Sequence, residues 1–149
     1  MSDSGLRLFV DAQPVPEFAT TAFTVSPELR NAKVAIVTTA AIHRIDDDGF
    51  ESTDTGYRRI SRADRDLVLG HWSPNFDRTG FAVDLNVVYP IDRLEEMAAD
   101  GLIGEVAENH YAFAGNQDDS VTRVRLDSGP AAARELVAAG VDVVLLTPV

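Results

Sequence analysis

The sequence predicts an α/β fold, a small Rossmann-like layered domain with a mostly parallel sheet. Two aliphatic runs carry this prediction, residues 33–40 (KVAIVTTA) and residues 141–149 (VDVVLLTPV). Runs without polar alternation are typical of parallel strands that are buried on both faces. A predicted helix over 131–139 ends at Gly140, directly before the second run, which makes half of a strand–helix–strand unit. We therefore expect central strands, with helices on both faces of the sheet.

The first 32 residues are predicted to form an N-terminal extended arm, and residues 33–149 a single α/β domain. A short strand is expected at 6–10. Three prolines interrupt regular structure in the arm: Pro14, Pro16 and Pro27. Three aromatic side chains are expected to hold the arm against the body: Phe9, Phe18 and Phe23.

The middle of the chain is expected to alternate short strands with loops. Short strands are predicted at 57–60 and 66–71. Residues 72–88 are rich in Asn, Asp, Pro and Gly and are predicted to form a long loop. A helix then begins near Pro90, a residue suited to a first helical turn, and ends at Gly101, which can adopt the left-handed conformation of a cap.

Composition and charge limit the partners that we expect. The formal net charge is -11, and Lys and Arg are not clustered, so we predict no nucleic-acid partner. No stretch approaches the roughly 20 apolar residues of a membrane span, so we predict no membrane association. The N-terminus lacks the features of a signal peptide, which predicts a cytoplasmic location.

The sequence also argues against a cofactor or a metal. Strand 33–40 is not followed by a Gly-x-Gly-x-x-Gly turn, and no Walker loop occurs, so we predict no nucleotide cofactor. The acidic segment 46–48 lacks the spacing of a calcium loop. A zinc site from the three histidines, with Asp77, is disfavoured because no pair has short helical spacing. Cysteine is absent, which excludes disulfides, thiolate metal sites and thiol catalysis within this chain.

Three histidines are candidates for substrate binding, because each is expected where a loop leaves the sheet: His43, His71 and His110. An imidazole can orient a carboxylate or transfer a proton near neutral pH. The alternative is that each makes one structural hydrogen bond. Two hydroxyls at predicted strand ends, those of Thr39 and Thr147, complete this expected edge.

Asp84 and Asn86 precede the helix that begins near Pro90. They are predicted either to bind the substrate or to cap that helix. The cap is the weaker prediction, because both residues lie several positions upstream of the helix. The predicted substrate-binding set therefore has seven members: His43, His71, His110, Asp84, Asn86, Thr39 and Thr147.

Five segments, in this order, resemble one family: 37–43 (VTTAAIH), 84–94 (DLNVVYPIDRL), 101–104 (GLIG), 110–115 (HYAFAG) and 140–149 (GVDVVLLTPV). They are similar to the selenoprotein B subunits of the glycine/sarcosine/betaine/D-proline reductases, in particular to short single-domain members. The resemblance covers about residues 30–149. Its most specific part is the D-x-N-x-x-x-P-x-D-R-L segment.

The resemblance implies a component of a reductase that acts on a small amine or amino-acid substrate. Members of the family use a selenocysteine or cysteine nucleophile with a second cysteine nearby, just after the strand that corresponds to 145–149. The deprotonated chalcogen is the reactive form. This chain departs from that pattern, since it has no cysteine and its sequence stops at Val149. These 149 residues thus include no catalytic group, which we expect just after Val149.

Two explanations of this departure remain open. We favour a selenocysteine codon that was read as a stop, so that the chain binds but does not reduce. The alternative is a non-catalytic binding or scaffolding subunit that pairs with a separate redox partner protein. In either case the last strand would lack an element to cover its end, and we expect a homo-oligomer.

Overall fold

A computed structural model of the 149-residue chain describes residues 3–12, 24–71, 73, 78–115, 117 and 121–149. The strands in this part of the chain are β1 (Lys33–Thr38), β2 (Ile42–Arg44), β3 (Tyr57–Ser61), β4 (Leu67–Leu69), β5 (Glu105–Val106), β6 (Asn109–Phe113) and β7 (Val143–Thr147). The α-helices are α1 (Asp3–Asp11), α2 (Thr79–Val83), α3 (Ile91–Ala99) and α4 (Gly129–Ala138). Short turns of other helix types lie at Leu29–Asn31, Leu85–Val87 and Val124–Ser128.

The main sheet is built around β1. Strand β7 runs parallel to it along one side, with Ile36 opposite Leu145. Strands β5 and β6 run parallel to it along the other side and pair with successive halves of β1. Strand β3 is antiparallel to β6 and ends the sheet. The predicted α/β class with a mostly parallel sheet is therefore confirmed.

Helices cover both faces of this sheet, as predicted. On one face, Ile91 and Leu94 of α3 pack in the core that contains Val34 and Ile36 of β1. On the other face, α4 packs against Ala35 through Ala132 and Leu136. Alternate side chains of β1 enter the two cores, which is why its sequence is apolar throughout.

A carboxylate shared by two tyrosines fixes α4 to the sheet. The hydroxyls of Tyr57 and Tyr111 donate to the Glu135 carboxylate, at 2.5 and 2.9 Å. These bonds hold the pKa of Glu135 below its usual range, and burial with the same carboxylate raises the pKa of Tyr111 to about 12. The charge on Glu135 is thus stabilised by hydrogen bonds at the edge of the core.

Strand β7 does not have the central position that its sequence predicts. It pairs with β1 alone among the described strands, so it is an edge strand. Val144 and Leu145 are each 37% exposed, and Leu146 is 67% exposed. An aliphatic run indicates that a strand can be buried on both faces, but it carries no information about the order of strands in the sheet.

The N-terminal residues also differ from expectation. Residues 6–10, predicted as a strand, lie within the helix α1, and the Phe9 side chain is 58% exposed. Pro14, Pro16, Phe18 and Phe23 lie outside the described residues, as does Asp77. The division into an arm and a domain stays a prediction.

The remaining strands, β2 and β4, form a small antiparallel sheet with His43 opposite Val68. The predicted strands at 57–60 and 66–71 correspond to β3 and β4. The predicted loop over 72–88 is wrong in its second half, where α2 and the turn Leu85–Val87 form. No helix in the described part of the chain combines the length and the apolar character that crossing a membrane requires.

Candidate functional site

The carboxyl ends of β1 and β7 form the centre of the candidate site. These strands are parallel, so both open at the same edge of the sheet, the edge that carries ligands in open α/β sheets. Just past β1, the amide of Thr39 donates to the Thr147 carbonyl at 3.3 Å. The Thr39 hydroxyl accepts from the Val149 amide at 2.9 Å and donates to the Val149 carbonyl at 3.2 Å. Thr39 therefore fixes the position of Val149.

Thr147 connects this edge to the loop before α3. Its hydroxyl donates to the Val88 carbonyl at 2.8 Å, and its own carbonyl accepts from the Thr38 hydroxyl at 3.1 Å. The Thr147 hydroxyl thus uses its proton in the fold. Its two lone pairs can still accept hydrogen bonds.

His71 lies beside Val149 and is buried. Its Nδ1 accepts from the Ser73 amide at 3.2 Å, which places the proton of the neutral ring on Nε2. The ring also forms a hydrogen bond with the Val149 backbone. His71 is therefore the predicted histidine that the structure brings to the ends of β1 and β7.

The close approach of His71 depends on Gly115. A Cβ atom at Gly115 would lie 2.3 Å from Nε2 of His71 and 2.7 Å from the Thr39 carbonyl oxygen. Any side chain there would displace the ring or the backbone. The glycine that ends the HYAFAG segment thus makes room for the imidazole, a role that the spacing of the sequence alone does not reveal.

The surroundings of His71 lower its pKa. Burial is the larger cause and the positive charge of Arg78 the second, while the hydrogen bond with the Val149 backbone opposes both. The ring is consequently neutral near pH 7. The Nε2–H of this neutral imidazole is engaged with the Val149 backbone, so it can donate to a ligand only by exchanging that hydrogen bond.

A cavity of about 530 Å³ opens beside His71. Its walls are β4 and the α2 residues Phe81 and Ala82, and Arg78 lies at its rim with His71. The Arg78 guanidinium donates to the His71 carbonyl. An apolar cavity of this size with a cation at its rim suits a small ligand that carries a negative group. Sequence reasoning missed Arg78, because a single arginine in a polar segment carries no distinguishing signal.

His43 lies directly behind this site. It is buried, its Nδ1 is 3.1 Å from the Ala41 carbonyl oxygen, and its ring meets the edge of Phe50. A Cβ atom at Gly70 would lie 3.0 Å from the His43 ring. Because Gly70 precedes His71, His43 supports the backbone that carries His71.

His110 lies apart from the other two histidines. It was expected where a loop leaves the sheet, but it lies within β6, fully buried. Its Nδ1 accepts from the Ile36 amide at 2.9 Å, at the point where β5 and β6 are interrupted and β1 lacks a backbone acceptor. Burial, followed by the charge of Arg62, lowers its pKa to about 4. This contact is structural.

The contacts of Asp84 and Asn86 are those of helix caps. The Asp84 carboxylate accepts from the Asn86 amide, and Asn86 Oδ1 accepts from the Asp92 amide in the first turn of α3, at 3.1 Å. Asn86 Nδ2 also donates to the Asp92 carboxylate at 2.9 Å. The cap, disfavoured by sequence distance, forms because the turn Leu85–Val87 folds Asn86 back onto the helix.

The described residues contain no group of three or more His, Asp or Glu side chains placed to hold a metal ion. Of the seven predicted substrate-binding residues, three meet at one edge of the sheet: Thr39, His71 and Thr147. His43 lies behind them, His110 in the core, and Asp84 and Asn86 at the start of α3.

Comparison with known proteins gives one family. Residues 9–149 match the family model described as glycine/sarcosine/betaine reductase selenoprotein B. The chain is 30% identical over 144 residues to the D-proline reductase subunit gamma of Acetoanaerobium sticklandii, covering 95% of this chain and 57% of that protein. It is 29% identical over 130 residues to the glycine reductase complex component B subunit gamma of Carboxydothermus hydrogenoformans, covering 80% of this chain and 28% of that protein.

The chain therefore spans just over half of the first of these relatives and about a quarter of the second. No solved structure matches it significantly.

Proposed function

Because the chain belongs to the glycine/sarcosine/betaine reductase selenoprotein B family, we propose that it is a component of a selenol- or thiol-dependent reductase. Its substrate is a small amine or amino acid, and a redox partner protein completes the reaction. The observation that carries this proposal is the meeting of Thr39, His71 and Val149 at the carboxyl edge of the sheet. This edge holds a buried, neutral imidazole beside a cavity suited to a small ligand.

The chain has no cysteine, so a selenol or thiol must come from residues beyond Val149 or from another chain. Our first proposal is a selenocysteine or cysteine that follows Val149 in the complete subunit. His71 would then lie beside the nucleophile, and its Nε2–H would exchange the hydrogen bond to the Val149 backbone for one that stabilises a chalcogenolate. The backbone of Val149, fixed by Thr39, would position that residue.

The second proposal is a non-catalytic binding or scaffolding subunit that pairs with a separate redox protein. The absence of a nucleophile from these 149 residues supports it. Tight binding of a redox protein by this chain, without any extension, would favour it. Under both proposals the protein is cytoplasmic and self-associates.

Ligand binding to the residues present tests the site itself. We would titrate the chain with D-proline, glycine, sarcosine and betaine and follow its backbone amide resonances. We expect one or more of these compounds to shift Gly70, His71 and Arg78 saturably, while Gly101, which follows α3 near the amino-terminal end of β1, stays unchanged. Shifts confined to other surfaces, or none with any compound, would contradict a substrate site here.

Gly115→Ala is the matched variant for this titration. It brings a methyl group against His71 and Thr39, whereas a Cβ atom at Gly56 meets nothing within 4 Å. Overpacking of this kind costs about 1–3 kcal/mol. We expect Gly115→Ala to weaken binding at least about tenfold, and Gly56→Ala to bind as the unmodified chain does. Equal binding by both variants would show that His71 takes no part in ligand binding.

A further inference from the structure

Within the part of the chain that the structure describes, no strand pairs with the outer edge of β7. Edge strands usually carry a charge, a proline or a bulge that prevents pairing with another chain. Strand β7 (VVLLT) has none of these within its bounds, and its side chains Val144, Leu145 and Leu146 are exposed by 37%, 37% and 67%. Its only strand neighbour among the described residues is β1.

The free backbone groups of this edge can be identified. In a parallel strand, alternate residues direct their N–H and C=O groups to opposite sides. The Thr147 carbonyl faces β1, because it accepts from the Thr39 amide. The backbone groups of Val144 and Leu146 consequently point away from β1. They are placed symmetrically about Leu145.

We propose that a second copy of this chain pairs with this edge, with the two β7 strands antiparallel and a two-fold axis at Leu145. Val144 of each copy then lies opposite Leu146 of the other. These pairs exchange both of their backbone hydrogen bonds, so all four free N–H and C=O groups of each edge are satisfied. The two Leu145 side chains meet on the axis.

Neighbouring registers satisfy fewer groups. An axis at Val144 would place Leu146 opposite Asp142, whose amide already donates to the Lys33 carbonyl at 3.0 Å. An axis at Leu146 would place Val144 opposite Pro148, which has no N–H. Only the axis at Leu145 uses every free group, and it sets Asp142 of each copy opposite Pro148 of the other.

The symmetric placement of the free groups and the shape of this surface favour a second copy as the occupant. Two chains of net charge -11 repel each other, but β7 is uncharged, so this strip of surface is where they can approach. A groove of about 720 Å³ flanks β7 from Asp142 to Leu146 and is lined in part by Val25 and Leu29. The register lays the second copy's Leu146 alongside it. The contact is isologous and closes as a dimer.

Sedimentation velocity of the whole chain is the first test. We expect twice the chain mass, with tighter association at higher salt because the net charges are screened. Leu146→Lys should weaken the dimer at least about tenfold, since each copy loses an apolar cross-strand contact. The matched control is Val137→Lys, which also replaces an exposed apolar residue by lysine. Val137 is 75% exposed and lies on α4, away from β7, so this variant should leave the dimer intact.

A pair of double variants tests the register. Val144→Lys/Leu146→Lys places lysines opposite each other and should abolish the dimer. Val144→Glu/Leu146→Lys places each Glu opposite a Lys of the other copy and should restore it, whereas an axis at Val144 or Leu146 would bring like charges together. Circular dichroism and urea midpoints establish that each variant is folded.

Amide hydrogen exchange completes the test. Val144 and Leu146 amides should be protected in the dimer and exchange rapidly in monomeric Leu146→Lys, while the Leu145 amide, which faces β1, stays protected in both. A monomeric unmodified chain overturns the proposal. So does a monomer in which Val144 and Leu146 are protected, because another segment of the same chain would then occupy the edge.

Discussion

Two buried histidines show how local surroundings set the role of a residue. His71 and His110 both accept a backbone hydrogen bond on Nδ1. His71 borders a cavity and Val149, whereas His110 is enclosed in the core with Tyr89 against its ring. Nε2 of His110 and the Tyr89 hydroxyl have no hydrogen-bond partner within the described residues. Both rings are neutral near pH 7, but the cavity gives a ligand access to His71, whereas the core encloses His110.

The neutral state of His110 predicts how stability depends on pH. Its pKa is about 4 in the folded chain and near its ordinary 6.5 in the unfolded chain. The folded state therefore binds fewer protons below pH 6.5, and stability that is present above pH 6.5 is lost as the pH falls towards 4. We expect this residue to lower the free energy of unfolding by about 2 kcal/mol between pH 7 and pH 5.

Urea unfolding at pH 7, 6 and 5 measures this effect, with His110→Asn for comparison. Asparagine keeps an acceptor near the position of Nδ1 for the Ile36 amide but does not titrate. The variant should be less stable at pH 7, because the ring leaves a cavity. It should also lose about 2 kcal/mol of this pH dependence, whereas the part that comes from His71, whose pKa is also lowered, should remain. An unchanged slope in His110→Asn would show that the dependence arises elsewhere.

At the scale of elements, the most family-specific segment builds the start of α3. Asp84 closes the turn Leu85–Val87, and Asn86 then caps Asp92. Side chains that accept from the free amides of a first turn stabilise a helix, because those amides have no partner within it. The same loop receives the Thr147 hydroxyl at Val88. Its shape therefore also affects the carboxyl edge of the sheet.

Asn86→Ala tests the cap. The substitution removes the acceptor for the Asp92 amide and the donor to the Asp92 carboxylate, so we expect a loss of about 1–2 kcal/mol in the free energy of unfolding. Asn31→Ala is the matched control, because the Asn31 side chain is exposed and makes no hydrogen bond within the described residues. We expect its effect to stay within about 0.5 kcal/mol. Equal effects in the two variants would mean that Asn86 does not cap α3 in solution.

At the scale of the whole molecule, the sequence predicts the types of element better than their arrangement. The aliphatic runs identify β1 and β7 as strands, because continuous apolar residues suit two-sided burial. The aliphatic run also predicted that β7 lies in the centre of the sheet. This prediction was wrong, because an apolar sequence does not reveal whether a second strand pairs with β7. Helix α1 was missed because residues 6–10 are too short for periodicity to separate a helix from a strand.

The sequence also predicts only part of the candidate site, because some of its residues come together only through the arrangement of the elements. Thr39 and Thr147 follow from the rule that parallel strands open at one edge. That rule does not predict that His110 lies apart from His71. The position of His110 depends on where the pairing of β5 and β6 with β1 is interrupted. The contribution of Arg78 and the space left by Gly115 are three-dimensional, and no local pattern of residues encodes them.

The central claim is that this chain is a reductase component whose site lies around His71. The most direct measurement is the rate of dithiol-dependent substrate reduction by the subunit expressed with the reading frame that follows codon 149. We predict turnover that requires a selenocysteine or cysteine encoded there and that falls at least about tenfold in His71→Asn, which keeps an acceptor for the Ser73 amide. Turnover that persists when this residue is serine, or that is unaffected by His71→Asn, would contradict the claim.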